Sequence, residues 1–171
     1  MIKRENVIMI SGAGRNVGKT LLSEHIIRNN PDVVAFKISP HFHSLTNKQE
    51  VLFQQEGIII TRETDSQSTK DTARMIRAGA KEVFYIQAKD DQLLVLLEWM
   101  DSQINNDVPV LMETRGMGKV MEPGLALFIE NGILGKECHW VFSHHLLSAN
   151  KVINETQSIE IIWNKQQWNI K

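Results

Sequence analysis

A glycine-rich turn between an apolar run and a helix-compatible run constrains the fold of this chain more than any other feature. The apolar run covers residues 7–10, and the turn reads Ser-Gly-Ala-Gly-Arg-Asn-Val-Gly-Lys-Thr over residues 11–20. Leu21, Leu22 and Ile26 follow at helical spacing. A strand, a tight turn and a helix in this order predict an α/β fold whose first helix begins at the end of the turn.

The turn has the composition of a phosphate-binding loop, in which backbone N–H groups and the following helix N-terminus face an anion. The strict pattern has glycine where Ala13 stands, and residues 13–20 meet the relaxed pattern that allows alanine there. Gly12 and Gly14 are expected to supply the positive φ that such a turn needs. The alternative interpretation is a glycine-rich turn that binds nothing. The candidate nucleotide contacts are Gly12, Ala13, Gly14, Arg15, Asn16, Val17, Gly18, Lys19 and Thr20.

Two residues of the loop and two carboxylates further on are candidates for catalysis and for a metal site. The Lys19 ammonium is expected to reach the β- and γ-phosphates and to act in catalysis, and the Thr20 hydroxyl is expected to hold Mg²⁺. Glu113 ends an apolar strand, and a carboxylate there suits a second ligand of the same ion or a catalytic role. Asp65 is a weaker candidate for that ion, because loop carboxylates are mostly just solvated.

Composition narrows the class of protein. A chain of 171 residues with 42% hydrophobic and 23% charged residues predicts a single domain over residues 1–171. The net charge of −1 disfavours nucleic acid as the main partner. Cys138 is the only cysteine, which fits a reducing, cytoplasmic setting. No stretch approaches the roughly 20 apolar residues that span a bilayer, so we expect no membrane association.

Apolar runs alternate with helix-like segments along the chain, which predicts a largely parallel sheet flanked by helices. The predicted strands are about 6–11, 33–38, 58–63, 82–87 and 109–113, with weaker patterns at 125–129, 139–142 and 159–163. The predicted helices are about 19–29, 68–79, 90–105 and 148–155, with a short one near 47–55. Because ligands bind outside the carboxyl ends of parallel strands, we expect residues 37–43, 63–65 and Glu113 to join the glycine-rich turn at one edge.

Four basic side chains are candidates for substrate contact. Lys37 and His41 follow the second predicted strand. Lys70 and Arg74 lie four residues apart and therefore share one face of the second predicted helix. The alternative is a plain loop for the first pair and a solvated helix face for the second.

Three blocks in order resemble the molybdopterin-guanine dinucleotide biosynthesis protein B family, a group of small P-loop GTP-binding proteins. The blocks are residues 12–20, residues 36–43 (Phe-Lys-Ile-Ser-Pro-His-Phe-His) and residues 70–80 (Lys-Asp-Thr-Ala-Arg to Ala-Gly-Ala). The resemblance implies a P-loop NTPase fold, Mg²⁺-dependent GTP binding with slow hydrolysis, and a partner protein in molybdenum cofactor biosynthesis. It also implies a homodimer.

This sequence departs from that family at two places, and the departures keep other functions open. Leu21 stands where the family has threonine after Gly-Lys-Thr, and Thr114 stands where it has glycine after the acidic residue. The spacing of the loop is also similar to that of dethiobiotin synthetase, which implies ATP-dependent activation of an acceptor carboxylate that Lys37 would orient. A third possibility is a P-loop scaffold that has lost turnover. The sequence leaves GTP and ATP as alternatives.

Overall fold

The computed structural model describes residues 1–132 and 137–171, and within them the chain forms a mixed sheet of eight strands with helices on both faces. The strands are β1 (Ile2–Gly12), β2 (Val34–Ser39), β3 (Gln49–Gln55), β4 (Ile58–Glu63), β5 (Glu82–Ala88), β6 (Val110–Glu113), β7 (Met121–Glu130), β8 (His145–Ser148), β9 (Ile161–Trp163) and β10 (Trp168–Ile170). The α-helices are α1 (Lys19–Asn29), α2 (Asp71–Arg77), α3 (Leu93–Gln103) and α4 (Ala149–Asn154). Among the described residues the order is β3-β4-β5-β2-β6-β1-β7-β8, with five parallel and two antiparallel pairings. The predicted α/β fold with a mostly parallel sheet is therefore confirmed.

The central strand β1 projects its side chains alternately into two cores. Ile8 and Ile10 pack with α1 in one core, whereas Val7 and Met9 pack with α3 in the other. All four side chains are fully buried, which explains why the sequence shows an unbroken apolar run here. The same alternation decides onto which face of the sheet each polar residue at the carboxyl edge projects.

The helix expected near residues 47–55 is wrong, because this segment is strand β3. It pairs antiparallel with β4 across a turn in which Gly57 has a φ of 79°. β4 in turn runs antiparallel to β5, with Ile58 opposite Ala88. Residues 63–65 therefore leave the sheet at the amino edge of the parallel strands, and the expectation that they share the edge of the glycine-rich turn is wrong.

The last third of the chain differs most from expectation. The strand predicted at 125–129 is confirmed within β7, and the helix predicted at 148–155 is confirmed as α4. The strand predicted at 139–142 is wrong: there Trp140 stacks on Phe142 with ring centroids 5.4 Å apart, and β8 pairs with β7 instead. The pattern at 159–163 yields the shorter β9, which pairs with β10 outside the main sheet. Within the described part of the chain, none of the helices combines the length and the apolar character that crossing a membrane requires.

Candidate functional site

The glycine-rich turn is anchored to the sheet at its first residues and reverses at its last ones. The Ala13 N–H donates to the carbonyl of Ile129 in β7, at 2.8 Å. The positive φ values fall at Asn16 (59°) and Gly18 (99°), so the expectation that Gly12 and Gly14 supply them is wrong. Gly12 is required for a different reason: a Cβ there would lie 2.8 Å from the side chain of Val17.

Gly18 begins α1 in a conformation that glycine alone adopts without strain. A Cβ at this position would also lie 2.6 Å from Cγ1 of Val152 in α4. The C-terminal part of the chain thus packs against the loop and selects glycine there. Local turn geometry and long-range packing impose the same requirement on this residue.

The Lys19 ammonium lies back over the loop. Its Nζ donates a hydrogen bond to the Gly14 carbonyl at 2.5 Å. Burial lowers the pKa of Lys19, and nearby Lys37 adds to that effect, whereas Glu113 and Asp71 oppose it. A partly desolvated cation at a helix N-terminus gains most from an anion, since both the charge and the free N–H groups of the helix favour one.

Glu113 is the most buried charged group of this region, with 1% of its surface exposed. Ser23 of α1 donates to one of its carboxylate oxygens at 2.8 Å, and the Lys37 ammonium pairs with the other. Lys37 also contacts Asp71 at 3.0 Å. Burial acts to lower the pKa of Lys37, but the two carboxylates outweigh it and the pKa is raised. The structure therefore brings Lys19, Lys37 and Glu113 together, as the sequence predicted.

Asp71 is a site residue that the sequence reasoning missed. Its carboxylate accepts from Lys37, and it lines a cavity together with Thr20, the residue predicted to hold Mg²⁺. Burial acts to raise the pKa of Asp71, but Lys37 and Thr20 outweigh it and the pKa is lowered. In the sequence this aspartate reads as a helix cap between Lys70 and Thr72. Its place in the block of residues 70–80 was the one signal that it served more than the helix.

Two neighbouring cavities meet at the Lys37–Asp71 ion pair. The first, which we call the loop cavity, measures about 470 Å³ and is lined by Arg15, Lys19, Thr20, Lys37, Asp71 and Arg74, among others. The second, which we call the side cavity, measures about 520 Å³ and is lined by Lys37 and Asp71 together with Ser39, His43, Lys70 and Tyr85, among others. The first is basic and the second is rich in hydroxyl groups, so an anion and a polar molecule could meet at the shared ion pair.

The remaining predicted residues divide between the site and its surroundings. Arg74 lines the loop cavity and pairs with Glu24 of α1 at 2.5 Å, and Lys70 lines the side cavity. His41 is exposed, and its backbone bonds with the Ser39 side chain. It lines neither of these two cavities.

Asp65 lies apart from the other candidate metal ligands. Its Oδ1 accepts from the backbone N–H groups of Gln67 at 3.0 Å and Ser68 at 3.2 Å, and Lys48 lies 3.6 Å away. The Ser68 side chain, the two backbone N–H groups and Lys48 together hold the pKa of Asp65 far below its ordinary value. The carboxylate thus fixes the turn that leads into α2, and the structure does not bring it to Thr20.

The described residues contain no cluster of three or more His, Cys, Asp or Glu side chains that could hold a metal alone. Magnesium in nucleotide sites is typically held by one or two protein ligands together with phosphates and water. Thr20, Asp71 and Glu113 supply a donor set of that kind beside the loop cavity. Comparisons with protein families, with curated protein sequences and with solved structures found no match.

Proposed function

We propose that this chain is a three-layer P-loop NTPase that binds a Mg²⁺–nucleoside triphosphate, GTP in the first instance, and hydrolyses it slowly. The observation that carries the proposal is the loop cavity. Four cationic side chains line it, namely Arg15, Lys19, Lys37 and Arg74. It opens where α1 presents its N-terminus, so charge and helix geometry both favour a polyphosphate.

Each residue of the site then has a definite role. The Lys19 ammonium exchanges the Gly14 carbonyl for the β- and γ-phosphate oxygens and stabilises negative charge on the transferred group. Thr20 and Asp71 hold Mg²⁺, which neutralises phosphate charge when it is bound. Glu113 is positioned by Ser23 as a second acidic group toward the metal or the attacking water.

At the level of biology, we propose an adaptor role in molybdenum cofactor biosynthesis with a cofactor-biosynthesis protein as partner. Support for this role comes from the three sequence blocks over residues 12–20, 36–43 and 70–80. In this role the chain acts as a homodimer, and His41 and Lys70 face the partner or a second substrate.

The side cavity favours a second candidate function, ATP-dependent phosphoryl transfer or ligation on a small molecule. It adjoins the loop cavity and shares Lys37 and Asp71 with it. An acceptor carboxylate in the side cavity would compete with Asp71 for the Lys37 ammonium. Gln87 contacts the side cavity through His43, whose backbone N–H donates to the Gln87 Oε1. Gln87 is 1% exposed, and its Nε2 has no hydrogen-bond partner within the described residues.

Calorimetric titration with GTP and with ATP, each with Mg²⁺, separates these functions. Lys19→Ala is expected to lose nucleotide affinity by at least about tenfold, because charged hydrogen bonds to phosphate are removed. It should retain the fold, since Lys19 serves no hydrophobic core. Lys81→Ala is the matched control, because it removes an exposed lysine that does not line the loop cavity. This variant should bind nucleotide as the wild type does.

A preference for GTP supports the first function, and a preference for ATP with turnover only beside an added carboxylate supports the second. Absence of binding of either nucleotide to the folded wild-type chain contradicts both and leaves a scaffold without turnover. Unchanged affinity of Lys19→Ala contradicts the role given to the loop.

A further inference from the structure

A third cavity lies at the same carboxyl edge as the loop cavity but on the opposite face of the sheet. It measures about 400 Å³, within the range of small-molecule sites, and we call it the aromatic cavity. Its lining includes Ser11, Ile38, Thr114, Arg115, Phe128 and Trp140. None of these residues lines the loop cavity or the side cavity.

Strand alternation explains why two different sites share one edge. Glu113 follows Met112 by one residue, and Met112 packs in the core on the α3 face, so Glu113 projects toward α1 and Thr114 toward α3. Likewise Ser11 lies two residues after Met9, which packs on the α3 face. Residues adjacent in the chain therefore serve the loop cavity on one face and the aromatic cavity on the other.

Ser11 supplies a hydroxyl group to the lining of the aromatic cavity. The residue is 4% exposed, and its hydroxyl makes no hydrogen bond within residues 1–132 and 137–171. Its position in β1 directs the side chain to the face on which the aromatic cavity lies. Because this hydroxyl lines the cavity and can both donate and accept, it is available to hydrogen-bond a polar group of a ligand.

The wall opposite is a fixed aromatic cluster. Trp140 stacks on Phe142 with ring centroids 5.4 Å apart and meets Phe128 edge-on at 6.4 Å. Gly118 makes room for it, since a Cβ there would lie 2.3 Å from Cδ1 of Trp140. A flat apolar group can pack against this cluster without rearranging it.

Among the lining residues that the structure describes, Arg115 is a cation available to a ligand. Lys119 is paired with Asp90, so their charges cancel locally. Arg115 is exposed and has neither an ion-pair nor a hydrogen-bond partner in the described ranges 1–132 and 137–171. Glu137 also lies on the lining, without an ion pair to Arg115. A guanidinium group with free donors is suited to a carboxylate or a phosphate.

We propose that the aromatic cavity binds a small organic acid in which a ring-sized apolar body carries one acidic group. The body packs against Trp140 and Phe128, the acidic group pairs with Arg115, and the Ser11 hydroxyl donates to the ligand. The site is separate from the nucleotide site and does not depend on the function proposed for it.

Fluorine NMR titration of the full chain with para-trifluoromethylbenzoate tests the proposal. The uncharged control probe is para-trifluoromethylbenzyl alcohol, which has the same ring without the carboxylate. We expect the wild-type chain to bind the benzoate more tightly than the alcohol. Arg115→Gln should lower the affinity for the benzoate by about tenfold or more and leave the affinity for the alcohol unchanged. Ser11→Ala should lower the affinity for the benzoate by about threefold or more.

Arg28→Gln is the matched control, because it makes the same change on the exposed end of α1. Its affinity for both probes should equal that of the wild type. Failure of the wild-type chain to bind the benzoate, equal affinity for the two probes, or equal effects at Arg115 and Arg28 would overturn the proposal. Displacement of the benzoate by guanosine would assign the cavity to a nucleobase and overturn it as well. Lys19→Ala should bind the benzoate normally, so a failure of the nucleotide proposal would not affect this result.

Discussion

Removing the ammonium of Lys37 should destabilise the protein strongly, because it leaves the buried carboxylate of Glu113 without its counter-charge. The Lys37 side chain is 22% exposed and that of Glu113 is 1% exposed, so water cannot replace the lost partner. Lys37→Met keeps the apolar stem and removes only the charge. The hydrogen bond from Ser23 remains and cannot neutralise the carboxylate.

The size of the effect follows from simple electrostatics. Two unit charges 4 Å apart attract by about 4 kcal/mol at an effective dielectric constant of 20. Breaking a buried pair by removing one partner typically costs about 3–5 kcal/mol. Because Lys37 keeps some contact with water, we expect the lower end, about 3 kcal/mol in the free energy of unfolding. With a urea m-value of about 2 kcal/mol/M, the midpoint should fall by about 1.5 M.

Urea unfolding followed by circular dichroism measures this loss, and a double-mutant cycle isolates the pair. Glu113→Gln removes the other charge, and the double variant should lose at least about 1.5 kcal/mol less than the sum of the two single variants. Lys48→Met is the control, since Lys48 is 55% exposed and lies 3.6 Å from Asp65. It should cost no more than about 0.5 kcal/mol. Equal losses for Lys37→Met and Lys48→Met, or additivity in the cycle, would refute this reasoning.

Two further predictions concern the loop and the response to alkali. Gly18→Ala should cost about 2 kcal/mol or more in urea unfolding, since it combines positive φ with a contact to Val152; Gly79→Ala, with a φ of 103° and open space around it, should cost about 1 kcal/mol. Similar losses for the two glycine variants would show that the contact with α4 is unimportant. Despite burial, Glu113 keeps the pKa of Lys37 above 10.5, so the stability from this pair is fully present below that pH and is lost as the pH rises through the raised pKa. Unfolding measured from pH 8 upward should show this loss in the wild type and not in Lys37→Met; identical profiles would contradict it.

Helices and strands were predictable where the segment itself has a clear pattern of apolar residues. The helix predicted at 19–29 has the same bounds as α1, and the apolar runs at 82–87 and 109–113 became β5 and β6. The failures lie at residues 47–55 and 139–142. Short segments of mixed polarity fit more than one conformation, and a strand partner elsewhere in the chain decides between them.

The candidate-site residues were predictable where the surrounding sequence carries a local signal. Lys19 and Thr20 belong to a contiguous pattern, and Glu113 ends the clearly apolar strand β6. Asp71 was missed as a site residue, because a carboxylate at the start of a helix is explained equally well by the helix dipole. Its contact with Lys37 spans 34 positions and exists only once α2 packs beside α1.

The amino-acid sequence was sufficient to predict a strand, a glycine-rich turn and helix α1 in this order, since each is specified by consecutive residues. The direction of each strand, and which residues become neighbours, were decided only by the folded chain. The antiparallel course of β4 carried residues 63–65 to the far edge, and strand alternation placed Glu113 and Thr114 on opposite faces. The physical reason is that backbone pairing and core packing join segments far apart in the chain, and local composition does not encode which segments will meet.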